Sequence, residues 1–114
     1  RGFRDVEIVL GTNNLEAISN EKIAIKNRDK NIRGLIIKKF LDLEIPIAPG
    51  RPRRKEYVLT GGYAIQKYGA SNIKGSQAIQ MEFSDLIRIY DKELRKKALC
   101  GLSGVIVDFF CNFF

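Results

Sequence analysis

Between Gly61 and Glu82 the chain reads GGYAIQKYGASNIKGSQAIQME, and the last part of that stretch admits few folds. On an extended backbone Ile79, Met81 and Phe83 share one face, while Ala78, Gln80 and Glu82 share the other. This is the pattern of a strand with one side on a core. Upstream, Gly61-Gly62 opens a short helix-like run, YAIQKY, which stops at Gly69, and a polar turn from Ala70 to Ser76 leads into the strand. A carboxylate that closes a half-buried strand is costly to bury, so Glu82 needs a reason for its place. In open α/β sheets ligands bind outside the carboxyl ends of the strands, which makes Glu82 the first candidate for chemistry.

The remaining segments supply what such a strand must pack on. Asp5 to Leu10 alternates and then runs apolar, and Gly11-Thr12-Asn13-Asn14 ends it: a strand and a turn, with Thr12 or Asn13 able to cap a following helix. Asp5–Leu10 and Gln77–Phe83 are therefore expected in one sheet. Leu15 to Arg28 fits a helix or, around Ile23-Ala24-Ile25, a short strand, and Asn27 to Asn31 reads as a loop. From Ile32 to Leu43, Ile32, Leu35, Ile36, Lys39 and Phe40 fall at helical spacing, and Pro46 closes the region. Pro46, Pro49 and Pro52 recur every third residue before Arg53-Arg54-Lys55, which favours an extended basic loop. Pro46 to Arg51 also fits the PxxPxR pattern of ligands for SH3-type modules, a match that arises readily by chance.

Tyr57 to Thr60 reads as a short strand before the double glycine. After Glu82, Ser84 can cap a helical stretch in which Leu86, Ile89, Tyr90 and Glu93 share a face. Asp91 can restart the helix, Gly101 can end it, and Ser103 can cap a last segment running to Phe114. Four phenylalanines in the final six residues belong in a core, or in an interface with another part of the protein or a partner chain.

Composition narrows the chemistry. A length of 114 residues suggests one domain, spanning residues 1–114, and 45% hydrophobic with 29% charged residues is a globular balance. The first residue is Arg1, which reads as a fragment or a processed chain. There is no histidine, so His-based metal sites and Ser–His or Cys–His nucleophile systems are excluded within this chain. Two cysteines, Cys100 and Cys111, make no disulfide framework, and no apolar run approaches the ~18 residues of a membrane span. A cytoplasmic protein without a membrane segment is the expectation. The net charge of +7 attracts anions. Aromatic residues do not interleave with the basic cluster, which counts against a nucleic-acid platform.

One family shares these motifs. Gly61-Gly62-Tyr63, Tyr68-Gly69 and Gln77-Ala78-Ile79-Gln80-Met81-Glu82 resemble the carboxyl-terminal part of the N-formylglutamate amidohydrolase family, whose members read GGY…YG, a short insertion, then A-L/I-Q-hydrophobe-E. Asp5 to Thr12, DVEIVLGT, resembles the strand and turn that precede this motif, and Tyr90-Asp91 loosely resembles a Tyr-x-Asp that follows it. The resemblance implies a zinc-peptidase-like α/β fold, with a central mixed sheet flanked by helices. It implies metal-assisted hydrolysis of a formyl amide on an acidic amino acid. The family glutamate corresponds to Glu82, which inherits the general-base role; Gly61, Gly62 and Lys67 are the substrate-binding candidates. The family's histidine zinc ligands lie mainly in its amino-terminal half and have no counterpart here, and Gln66-Lys67 stand where members often carry Arg-His. The expectation is part of such an enzyme, inactive alone, with zinc held in the intact parent and not by this chain. The alternatives are a non-catalytic binding module of the same fold and a basic nucleic-acid-binding domain.

On the residues alone, a capped or surface carboxylate also explains Glu82, a tight turn with positive φ explains Gly61-Gly62, and packing explains Tyr63 and Tyr68. The histidine-free composition has a direct consequence. The purified, tag-free chain should carry no stoichiometric zinc by atomic absorption; one zinc per chain would contradict this.

Overall fold

Ile8, Val9 and Leu10 are three consecutive apolar residues, a run that suits a strand covered on both faces. In the computed structural model, which describes residues 6–12, 14–19, 30–52, 54–56, 63–70, 72 and 76–113, they form the central strand β1 (Ile8–Gly11), with every residue buried. On one side β1 pairs parallel with β2 (Ile47–Ala48), setting Ile8 against Ile47. On the other it pairs antiparallel with β3 (Gln80–Phe83), setting Ile8 against Phe83, Val9 against Glu82 and Leu10 against Met81. Among the described residues the result is a three-stranded open mixed sheet in the order β2-β1-β3, flanked by helices: a small α/β fold. Of the two segments expected in one sheet, Ile8–Leu10 and Gln80–Phe83 are the parts that form neighbouring strands.

A parallel pair needs a long crossover, and α1 (Ile32–Asp42) supplies it between β1 and β2. Asn31 caps it, its side-chain oxygen accepting the Gly34 N–H at 2.9 Å. The helix ends in a Schellman motif: the Ile45 N–H reaches Phe40 O at 2.9 Å and the Glu44 N–H reaches Leu41 O at 3.0 Å. Its left-handed position is held by Glu44 (φ 60°) instead of the usual glycine. Ile32, Ile36, Ile37 and Phe40 face the core with Ile8, Leu10, Ile45 and Ile47. Leu35 and Lys39, expected on that face, are exposed, because the buried stripe runs through 33, 36, 37 and 40.

The alternation of β3 appears as expected. Ile79, Met81 and Phe83 pack on the core, whereas on the other side Glu82 is exposed and Ala78 and Gln80 are half-buried. Val9, Ala17, Ile65 and Ala70 are buried outside that main cluster. Since Val9 points opposite to Leu10, the sheet is covered on its second face too. The short α2 (Tyr63–Tyr68) stops at Gly69, where a Cβ would lie 2.7 Å from the Ala17 Cβ and 2.5 Å from Ile65 O. Gly69 is thus a close-approach residue.

Three expectations are corrected. The proline-spaced segment is not an extended surface ligand: Ile47 and Pro49 are buried and Ile47–Ala48 is a sheet strand, so an SH3-type module has nothing to grip. Gly101 does not end a helix and Ser103 does not start one, since α3 (Lys92–Phe113) runs unbroken through both. Gly101 is buried where a Cβ would meet the Leu43 side chain at 2.6 Å, so packing against α1 overrides its helix-breaking tendency. The Asp91 restart holds, its side chain accepting the Leu94 N–H at 2.9 Å. Before it, Leu86–Tyr90 form a π-helical turn that buries Ile87 and leaves Leu86, Ile89 and Tyr90 outside. The wider turn rotates the expected apolar face outward. Tyr68, expected as a half-buried packing residue, is half exposed, in keeping with that reading. Tyr57–Thr60, Gly61, Gly62, Asn13 and residues 20–29 lie outside the described residues.

Two substitutions test these backbone assignments by chemical denaturation. Glu44→Gly should stabilise the chain by about 0.5–1 kcal/mol, as relief of the left-handed penalty outweighs the added chain entropy. Gly69→Ala should cost about 1–3 kcal/mol, because two backbone atoms and a Cβ must move. A stabilising Gly69→Ala would contradict the close approach.

Candidate functional site

Among the described residues the most demanding polar group is Glu56, a carboxylate whose side chain is fully buried beside the equally buried Arg33. An ionised group in that position survives only if it is paired and hydrogen-bonded. Glu56 is both. Its Oε1 accepts the backbone N–H of Thr12 at 2.8 Å and of Asn14 at 3.0 Å. Its Oε2 accepts the Thr12 hydroxyl and Arg33 Nε, the latter at 2.8 Å. Arg33 spends its other nitrogens on carbonyls, Nη1 on Pro52 O at 2.7 Å and Nη2 on Arg54 O at 2.6 Å. In return the Glu56 N–H donates to Asn14 Oδ1 at 2.7 Å.

Three separate segments are fastened here: the turn after β1, the first turn of α1, and the loop from Pro52 to Glu56. The turn bends through left-handed backbone at Asn14 (φ 52°) and Leu15 (φ 78°). Asparagine tolerates that region; leucine does so only where its surroundings fix it. The Thr12 hydroxyl helps to fix it, accepting the Leu15 N–H at 3.0 Å. Thr12 was expected as a helix cap, and it does cap, but over a turn at 14–18 and not a helix.

This arrangement limits what Glu56 can do. A carboxylate offers about four lone-pair directions, and donors occupy all of them. It has no position left from which to take a proton from a substrate, so its role is structural. Beside the pair lies a depression, open to solvent, lined by Asn14, Leu15, Arg33, Arg54 and Lys55. It is a surface depression and not an enclosed ligand cavity, and so suits a small ion or the end of a larger molecule.

Glu82 lies elsewhere. It is exposed on β3, opposite Val9, and hence on the sheet face that points away from Leu10 and Met81. Thr12 stays on the α1 side, as its link through Glu56 to Arg33 requires. The sheet therefore separates Glu82 from the buried cluster. Just beyond the paired ends of β1 and β3, Ser84 donates its hydroxyl to the Glu7 carboxylate and its N–H to Glu7 O at 2.8 Å. Lys67 is exposed on α2, its ammonium 5.3 Å from the centre of the Tyr68 ring. Gly61 and Gly62, the other substrate-binding candidates, lie outside the described residues. Among the described residues no three His, Cys, Asp or Glu side chains gather as a metal would need.

Sequence reasoning missed Arg33 and Glu56. A signal existed for Arg33, which stands three and four residues before Ile36 and Ile37 and so on the buried stripe. A buried arginine demands a buried acid, but nothing in Lys55-Glu56-Tyr57 marks which acid that is.

Comparison with family models, curated proteins and solved structures finds no match for this chain. The residues alone carry the reading.

The cluster makes a quantitative prediction. Glu56→Gln leaves Arg33 charged and under-paired in the interior and should cost about 3–5 kcal/mol in urea unfolding. Combining it with Arg33→Met should cost less than the sum of the single changes, by about 0.5–3 kcal/mol of coupling. Strict additivity would contradict the pairing.

Proposed function

We propose that this chain is part of an N-formylglutamate-amidohydrolase-like amide hydrolase, inactive by itself, in which Glu82 is the general base. The observation that supports this reading is the direct pairing of β1 with β3. It brings parts of the two segments that bear the resemblance, Ile8–Gly11 and Gln80–Glu82, onto adjoining strands, with Glu82 exposed. On this reading the α/β fold is of the zinc-peptidase-like kind and the protein works in the cytoplasm, where exposed thiols such as Cys100 and Cys111 stay reduced.

The chain's own residues do not fit a zinc site, because histidine is absent and no acidic or thiol cluster replaces it among the described residues. The metal of the parent enzyme would be held by residues outside this chain, and no step assigned here runs through it. Glu82 would accept a proton from the attacking water and return it to the leaving nitrogen, a role that contributes about 10²–10⁴-fold in rate. Lys67, exposed on α2, together with Gly61 and Gly62, would meet an acidic amide substrate. The phenylalanine-rich end would meet the rest of the enzyme or a partner chain. The lack of histidine also favours a second reading, a non-catalytic binding module of the same fold.

Glu82→Gln in the full parent protein separates the two. It keeps the shape and removes the basicity, and on an exposed strand position it should leave folding and metal content unchanged. The kcat for a formyl-amino-acid should fall by about 10²–10⁴-fold with KM little altered. Turnover at the wild-type rate would overturn the assignment.

A further inference from the structure

The depression beside the Arg33–Glu56 pair has a charge pattern that the pair itself does not explain. Arg33, which lines it, is neutralised by the buried Glu56. Arg54 and Lys55 stand exposed at its rim, and among the described residues no carboxylate pairs with either. Two adjacent cations on a solvated loop would ordinarily be too mobile to make a site. Here the backbone beneath them is fixed, because Arg33 holds Pro52 O and Arg54 O while Glu56 holds Thr12 and Asn14. The cost of ordering the loop is met during folding, not during binding. Across the depression stands Asn14, whose own backbone is fixed by the same carboxylate.

The geometry points to a phosphate-group site formed by Arg54, Lys55 and Asn14 over the Arg33–Glu56 pair. The unbalanced charge at the rim matches a dianion better than a single carboxylate. Arginine offers a planar fork of donors to phosphate oxygens, and lysine adds a point charge. The depression is open to solvent, so a phosphate group can approach it either free or as the terminus of a larger molecule. The site faces the α1 side of the sheet and Glu82 faces the other, so it stands or falls separately from the hydrolase reading.

The test is a titration of the whole chain with inorganic phosphate, followed by amide NMR, with ionic strength held constant by sodium chloride. Saturable shifts are expected at Asn14, Leu15, Arg54 and Lys55 and not at Glu82. The double variant Arg54→Gln/Lys55→Gln alters exposed side chains only, so its melting temperature should match the parent's while its affinity falls about tenfold or more. Phenyl phosphate binding more tightly than inorganic phosphate would identify a terminal phosphate; weaker binding would identify the free ion. Shifts that grow linearly without saturation, an unchanged affinity in the double variant, or tighter binding of succinate than of phosphate would each overturn the proposal.

Discussion

The fold turns on a single carboxylate. Glu56 is taken fully out of water, and that cost is tolerable only because backbone N–H groups, a hydroxyl and a guanidinium converge on its two oxygens. The convergence explains several otherwise odd features together. The turn after β1 accepts left-handed backbone at Asn14 and Leu15 because its amides are directed at Oε1. Arg33 can sit in the apolar stripe of α1 because its charge is met there. The loop carrying Arg54 and Lys55 follows the surface in one path because its carbonyls are bound to Arg33. Replacing such a pair with apolar residues of similar volume often leaves a protein as stable. What the ion pair adds here is a defined joint among three distant segments.

Much of the rest follows from patterns of period two and period 3.6. The apolar run Ile8-Val9-Leu10, the alternation from Ile79 to Phe83, and the spacing of Ile32, Ile36 and Phe40 each led to the element that forms. The two-residue β2 was hidden because prolines on both sides suggested a loop, and so short a strand carries no period of its own. Gly101 misled for a related reason. A glycine read in one dimension is a helix stop, whereas in three dimensions it is the place where Leu43 comes closest to α3. The π-helical turn at Leu86–Tyr90 shifted the buried position to Ile87, a change of phase that no 3.6-residue template contains.

The candidate site was less legible than the fold. Alternation put Glu82 on the open face of its strand, and the structure agrees on that face. The Arg33–Glu56 joint depends on residues far apart in sequence, and long-range polar pairing leaves no local period. Because the Arg33 cluster and Glu82 belong to opposite faces, the phosphate proposal and the hydrolase proposal can be tested independently of one another.

Amide hydrogen exchange at Thr12 and Asn14 tests the central claim most directly. Both belong to a turn, where amides ordinarily exchange rapidly through local opening. If Glu56 is the joint described, these two amides should be protected to the level of Leu10 in the central strand and should exchange only on global unfolding. Exchange at the rate of an exposed loop, with Leu10 still protected, would show that the carboxylate does not hold the fold together.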